Sequence, residues 1–299
     1  MSSAEKRAHG LMIVATVLIA TSFPVGASIT HGLDAEVLTL LRFALAALIF
    51  APIVAWRYGL PWPGWRGLLR YSLISACMVG FFWGMFAALR HTSVLNTATI
   101  YTLTPAITAA VSAVLLSERL GRAARIALPV GMVGAVWVIF RGDVETLLAL
   151  DLGRGDAIFL AACAAFGCYM PLLKLLHRGE PMARVTFWIL VTGASWLLLI
   201  SAGRLGSINW TAVPMSVYVG VGYLTIFTTL ITFFIFQRSV TVLGPTRVIS
   251  YTYLNPALVL LVGLAFGEPL PPLATYPGLV LIVGATFILQ RSPASADVT

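Results

Sequence analysis

Ten apolar stretches, most of about 20 residues, follow one another along this chain, and that length constrains the fold more than any motif does. They run near 10–29, 36–56, 70–89, 94–116 and 124–140, then 156–176, 184–202, 213–236, 245–266 and 273–290. Short stretches carrying Gly, Pro, Arg or Asp separate them. A soluble surface cannot be built from a chain that is 59% hydrophobic and 10% charged, with a mean hydropathy of +0.94. Bilayer is its solvent. There, backbone groups must pair within the protein, which leaves helices or a closed barrel. A barrel alternates apolar and polar residues, and these runs do not. The sequence therefore predicts an all-α polytopic membrane protein of ten transmembrane helices.

Basic residues set the expected orientation. With the N-terminus in the cytoplasm, Lys6, Arg7, Arg57, Arg66, Arg70, Arg119, Arg122, Arg125, Lys174, Arg178, Arg184, Arg238, Arg247 and Arg291 fall on the cytoplasmic side. Only Arg90, Arg141, Arg154 and Arg204 fall opposite, and Arg42 lies inside segment 2. This bias places both termini in the cytoplasm of a bacterial-type inner membrane. Scattered singly over short loops, the same residues form no nucleic-acid patch despite a net charge of +8. Lys6 and Arg7 before an apolar run, with Val25-Gly26-Ala27 beyond, also resemble a cleavable signal. Cleavage would leave nine helices and break the repeat below, so the run is read as a retained span. Cys77, Cys163 and Cys168 all lie in apolar stretches, where a thiol packs as a small hydrophobe.

The chain repeats itself once. The stretch from Thr104, TPAITAAVSAVLLSERL, has a counterpart from Asn255, NPALVLLVGLAFGEPL, pairing Pro105 with Pro256 and Glu118 with Glu268 after a one-residue gap. Gly134-Ala135 and Arg141 recur as Gly284-Ala285 and Arg291. Two units, 1–148 and 149–299, are expected. Five helices is an odd number, so the second unit enters the membrane from the opposite side. Inverted halves whose conformations can be exchanged suit alternating access around a midplane site.

These landmarks resemble the drug/metabolite transporter superfamily, in its ten-helix EamA-type branch of two five-helix domains. The marks are Leu41-Arg42-Phe43, the two Pro-to-Glu stretches and the Gly-rich ends of segments 5 and 10. Within that branch the chain is most similar to aromatic amino acid exporters of the YddG type. Segment 1 departs from the usual Leu-Trp-Gly pattern, reading Thr21-Ser22-Phe23-Pro24-Val25-Gly26. The resemblance implies a small-molecule exporter without a cofactor, and ten helices suffice to enclose a pathway in a monomer.

Rings on the inner helices suggest a cavity for a partly apolar solute: Phe23, Phe82, Trp83, Phe86, Tyr101, Phe166, Tyr169, Tyr223, Phe227 and Tyr251, with Thr252 and Asn255 as sparse polar points. For any single ring, helix packing or lipid contact is the competing fate. Prolines at 24, 105, 129, 171, 256 and 277 fall inside the apolar runs. Each removes a backbone donor, so Pro24, Pro105, Pro171 and Pro256 are candidate hinges that free the carbonyls of Ala20, Tyr101, Gly167 and Thr252. Static kinks satisfied by neighbouring hydroxyls are the alternative. Glu118 and Glu268 close helices and are read as helix-end braces. Arg42 has three readings, outward snorkelling, pairing with Asp34 or Glu36, and attraction of a substrate carboxylate, of which the first two together are favoured.

Other classes fit less well. No metal or catalytic cluster of His with carboxylates occurs, and no phosphate-binding Gly-rich loop with Lys-Ser/Thr, which argues against an enzyme or a primary pump. A receptor gives no reason for an inverted duplication. Drug cations call for a buried carboxylate and sugar nucleotides for cavity cations. Neutral amino acids, aromatic and other hydrophobic ones first, survive this sorting, with lipophilic drugs or other metabolites next. No Asp, Glu or His falls at mid-membrane, so downhill export is expected.

Overall fold

The computed structural model of the protein describes residues 2–92, 97, 100–117, 121–140, 142–149, 153–255, 257–258, 261, 264 and 272–291. Glu118, Arg141, Pro256 and Glu268 lie outside the described residues, which are helical with no strand among them. The helices are α1 (Ser3–Ala20), α2 (Ser22–Ile29), α3 (Ala35–Tyr58), α4 (Gly64–Ala88), α5 (Thr104–Leu115), α6 (Arg122–Ile139) and the short α7 (Val144–Leu148). There follow α8 (Arg154–Leu176), α9 (Met182–Leu205), α10 (Met215–Thr225), α11 (Thr232–Leu243), α12 (Pro245–Ile249) and α13 (Tyr276–Arg291). Tight turns over Ser250–Leu254 and Leu273–Thr275 join the later elements, and a widened π-type turn, Ile226–Ile231, joins α10 to α11.

Seven of the described helical stretches are long and apolar enough to cross a membrane: Ser3–Ile29, Ala35–Tyr58, Gly64–Ala88, Arg154–Leu176, Met182–Leu205, Met215–Leu243 and Leu273–Gln290. Thr104–Leu115 and Arg125–Val138 are apolar but shorter. The first span bends at Thr21, where the Thr21 and Ser22 hydroxyls donate to the carbonyls of Leu18 and Ile19, both at 2.7 Å. A hydroxyl bonded back to its own helix bends it in this way. Pro24 and Pro105 each stand in the first turn of a helix, where the missing donor has no partner to lose. They begin helices rather than interrupt them. Pro171 does lie inside α8.

Polar contacts sort the helix ends into two groups. At one end Asp34 pairs with Arg90 at 3.3 Å, Glu36 with Arg204, and the Thr92 hydroxyl donates to Asp156. The other end holds Arg70 paired with Glu180, and Arg184 donating to the carbonyls of Tyr58 and Gly59. Burial opposes ionisation of Glu180, but backbone donors and Arg70 outweigh it and hold the carboxyl below its ordinary range. On that same side Arg247 donates to the carbonyl of Gln290 and lies 3.9 Å from Glu5. Ser3 and Gln290 therefore lie at one end of the bundle. Helix α1 runs away from that end, and α8 runs toward it.

Close approach of small residues permits the tightest packing. A Cβ at Gly134 on α6 would lie 2.7 Å from Leu281 Cβ and 2.9 Å from the carbonyl oxygen of Gly278 on α13. Gly134→Val is accordingly expected to separate α6 from α13 and cost about 1 to 3 kcal/mol. A fall in the melting temperature of the purified protein checks this, and an unchanged melt would show that the pair can move apart freely.

Candidate functional site

A narrow cavity lies between the two halves of the chain. Phe23, Met78, Phe81, Phe82, Met85 and Tyr101 line it from the first half, and Phe166, Tyr169, Met170, Phe233 and Phe236 from the second. Its hydroxyl-bearing lining residues are Ser22, Tyr101, Tyr169, Thr228 and Thr232. About 30 Å³ is open to the centre of a water-sized molecule, room for a water or two, so a larger solute requires the rings to part. The rings pack face and edge. Phe81 stacks on Phe166 with centroids 4.4 Å apart, Phe82 on Phe233 at 5.7 Å, and Phe23 meets Tyr101 edge-on at 5.5 Å. Gln237, buried on α11, donates from Nε2 to the Tyr169 hydroxyl at 2.8 Å and accepts from Thr186. That bond fixes one wall.

Of the rings expected at a cavity, Phe23, Phe82, Tyr101, Phe166 and Tyr169 line this one. The rest lie elsewhere. Phe86 is buried beside Gly26, one layer away. Tyr223 bonds the Thr21 hydroxyl at 2.6 Å and leans on Phe227, which is 41% exposed. Trp83, 43% exposed, faces outward. Tyr251 bonds His9 Nδ1 at 2.6 Å. Thr252 and Asn255 are buried, and their side-chain polar atoms have no hydrogen-bond partner among the described residues. Met78, Met85, Phe233, Phe236, Thr228 and Thr232 were not legible as lining. The wide turn between Ile226 and Ile231 shifts the register of the helix, so 3.6-residue periodicity carried from Tyr223 points to the wrong face.

Arg42 corrects the sequence reading most sharply. Neither snorkelling nor an ion pair with Asp34 or Glu36 occurs: the residue is 1% exposed, and those carboxylates pair with Arg90 and Arg204. Six residues along a helix is about one and two-thirds turns, so Glu36 and Arg42 point apart. The guanidinium instead crosses to the wide turn. Its Nη2 donates to the Thr228 hydroxyl at 2.8 Å and carbonyl at 3.0 Å, its Nε to the Thr229 hydroxyl, and it lies 4.1 Å over the Phe82 ring.

Apolar helices of spanning length surrounding an internal ring-lined cavity define a polytopic membrane protein. The sequence model of the EamA-like transporter family matches residues 6–140 and again 153–290, and the chain belongs to that family of membrane transporters, within the drug/metabolite transporter superfamily. A relative is the uncharacterized transporter YyaM of Bacillus subtilis (strain 168), 22% identical over 250 residues that span 81% of this chain and 80% of that one. A protein of known crystal structure, 20% identical, superposes with a TM-score of 0.73, covering 95% of this chain and 97% of its own. At that identity the likeness concerns the fold alone.

Proposed function

We propose that the chain exports small neutral metabolites, foremost aromatic and other hydrophobic amino acids, by alternating access of two inverted five-helix halves around the central aromatic cavity. The observation that carries this reading is the cavity's dual origin, since rings from both halves interleave across it. Movement of one half against the other then opens it to one side at a time. Three further observations support inversion. The family match covers the chain twice. Helices α1 and α8, which open the two matches, run in opposite senses. Counterpart elements pack on each other, α3 on α9 and α6 on α13.

In this reading the end bearing Ser3 and Gln290 is cytoplasmic, which agrees with the basic residues gathered there, and the membrane is a bacterial-type inner membrane. Pro24, Pro105 and Pro171 mark the points where the moving segments flex. Substrate counterflow in proteoliposomes tests the reading. Phe, Trp, Leu and Met are expected to exchange; failure of all four removes the substrate class, and exchange of lipophilic drugs instead would select the alternative that the largely apolar lining also permits.

A further inference from the structure

A guanidinium inside a membrane protein is costly to desolvate and ordinarily has an anion to offset it. Among the described residues Arg42 has none. Its acceptors are neutral: one carbonyl and two hydroxyls, all from Thr228 and Thr229. Its Nη1 is buried and has no hydrogen-bond partner among the described residues. Such a donor retains the capacity for a charge-assisted bond, roughly twice as strong as a neutral one. The group is also held in place. Thr228 and Thr229 sit within the widened turn, and the Thr225 hydroxyl on the same strand of helix lies 3.4 Å from the Arg42 carbonyl. Widened turns of this kind release carbonyls from the helical ladder and recur at functional sites.

The location supplies the purpose. Phe82 and Thr228 both line the cavity, and the guanidinium touches both from behind. It therefore lies one side chain beneath the wall of a cavity whose lining, among the described residues, carries no formal charge. We infer that Arg42 is the anchor for a carboxylate on the transported solute, reached when the Phe82 ring swings off the guanidinium as the cavity widens. Nη1 brings its free donors and Nη2 exchanges its bond to the Thr228 hydroxyl for one to the solute, so that the two nitrogens present a planar fork to the carboxylate oxygens, while Phe81 and Phe166 remain for the solute's apolar portion. This assignment deepens the amino acid reading and rests on it for the choice of solute. A carboxylate entering beside Thr229 also meets its hydroxyl, which now only accepts, so the turn contributes to the same anchor.

The probes are L-phenylalanine, L-phenylalaninamide, which lacks the carboxylate, and 3-phenylpropionate, which lacks the amine. Competition for counterflow and ligand-dependent thermal stabilisation of the purified full chain read their binding. The wild type is expected to prefer phenylalanine over its amide, and Arg42→Gln to lower affinity for phenylalanine on the order of 100-fold with the amide unchanged. Arg42→Lys, which keeps the charge and loses the fork, is expected to fall between. Should Arg42→Gln not fold, Phe82→Leu leaves the guanidinium and its hydrogen bonds in place and thins the layer above it, so the preference for phenylalanine over amide rises severalfold. A preference unchanged in Phe82→Leu and in whichever arginine variant folds overturns the anchor. The two readings also fail separately. If the wild type exchanges phenylalanine and Arg42→Gln keeps its preference over the amide, the anchor fails and the amino acid reading stands. If phenylalanine neither exchanges nor binds, but 3-phenylpropionate stabilises the wild type and not Arg42→Gln, the amino acid reading fails and the anchor stands. A wild type stabilised by neither carboxylate overturns the anchor.

Discussion

Phe81→Ala is expected to lower the stability of the purified protein by about 3 to 5 kcal/mol, the range for deleting a buried aromatic ring, whereas Trp83→Ala two residues on changes it little. The contrast follows from the faces these residues occupy. Phe81 is 4% exposed and has four ring neighbours: Phe166, Phe82 at 5.1 Å, Tyr101 at 5.7 Å and Phe159 at 6.1 Å. Its removal leaves a hole that joins the existing cavity, so neighbouring side chains have little reason to close it. The same enlargement is expected to admit bulkier solutes in counterflow. Trp83 is much more exposed and contributes mainly to the outer face, where lipid replaces what is lost. Thermal unfolding of the two variants side by side checks the prediction. Equal losses would mean that the ring cluster is no more tightly packed than the outer surface.

The second large effect is expected at Gln237. Leucine fills nearly the same volume, but Gln237→Leu leaves the buried Tyr169 hydroxyl without the amide donor it now has at 2.8 Å. An orphaned buried polar group costs about 1 to 3 kcal/mol. Thr186 loses less, because its hydroxyl has the Met182 carbonyl at 2.8 Å as an alternative acceptor. Removing the orphan as well should restore much of the loss, so Tyr169→Phe in the Gln237→Leu background is expected to be more stable than Gln237→Leu alone. The double-mutant cycle isolates the bond from the packing of either side chain. If the second substitution adds a further full loss, the hydroxyl is already solvated from the cavity and the hydrogen bond is not what positions the ring.

Much of the fold was legible because its governing constraint, the span of a bilayer, acts on sequence directly. The runs expected at 36–56 and 184–202 appear as Ala35–Tyr58 and Met182–Leu205, with the differences confined to their ends. Legibility failed where the backbone departs from a uniform helix. The run expected from 94 to 116 contains a separate helix beginning at Thr104, because Pro105 favours a first turn over an interior position. The eighth run reads as continuous, yet a wide turn inside it brings Thr228 and Phe233 to the cavity and leaves Phe227 outside. Arg42 failed for another reason. Its partners are hydroxyls and a carbonyl more than 180 residues away in the chain, and no spacing rule connects a lone arginine to threonines of another helix. Aromatic content carries no information on which face of α4 the rings take, so Phe81 and Phe82 turn inward while Trp83 faces out.

The turn over Ile226–Ile231 holds one residue more than an ordinary helical turn requires. Such a surplus can travel: passing it one position along the helix rotates the residue it crosses by about 100° and advances it by about 1.5 Å, with neighbouring backbone bonds exchanging rather than vanishing. Thr228 and Thr229 both lie within the wide turn, so its migration past them would withdraw from Arg42 the three oxygens that now accept from it. Axial sliding of one helix and the electrical environment of the buried cation are thereby geared together, with no side chain having to cross the membrane.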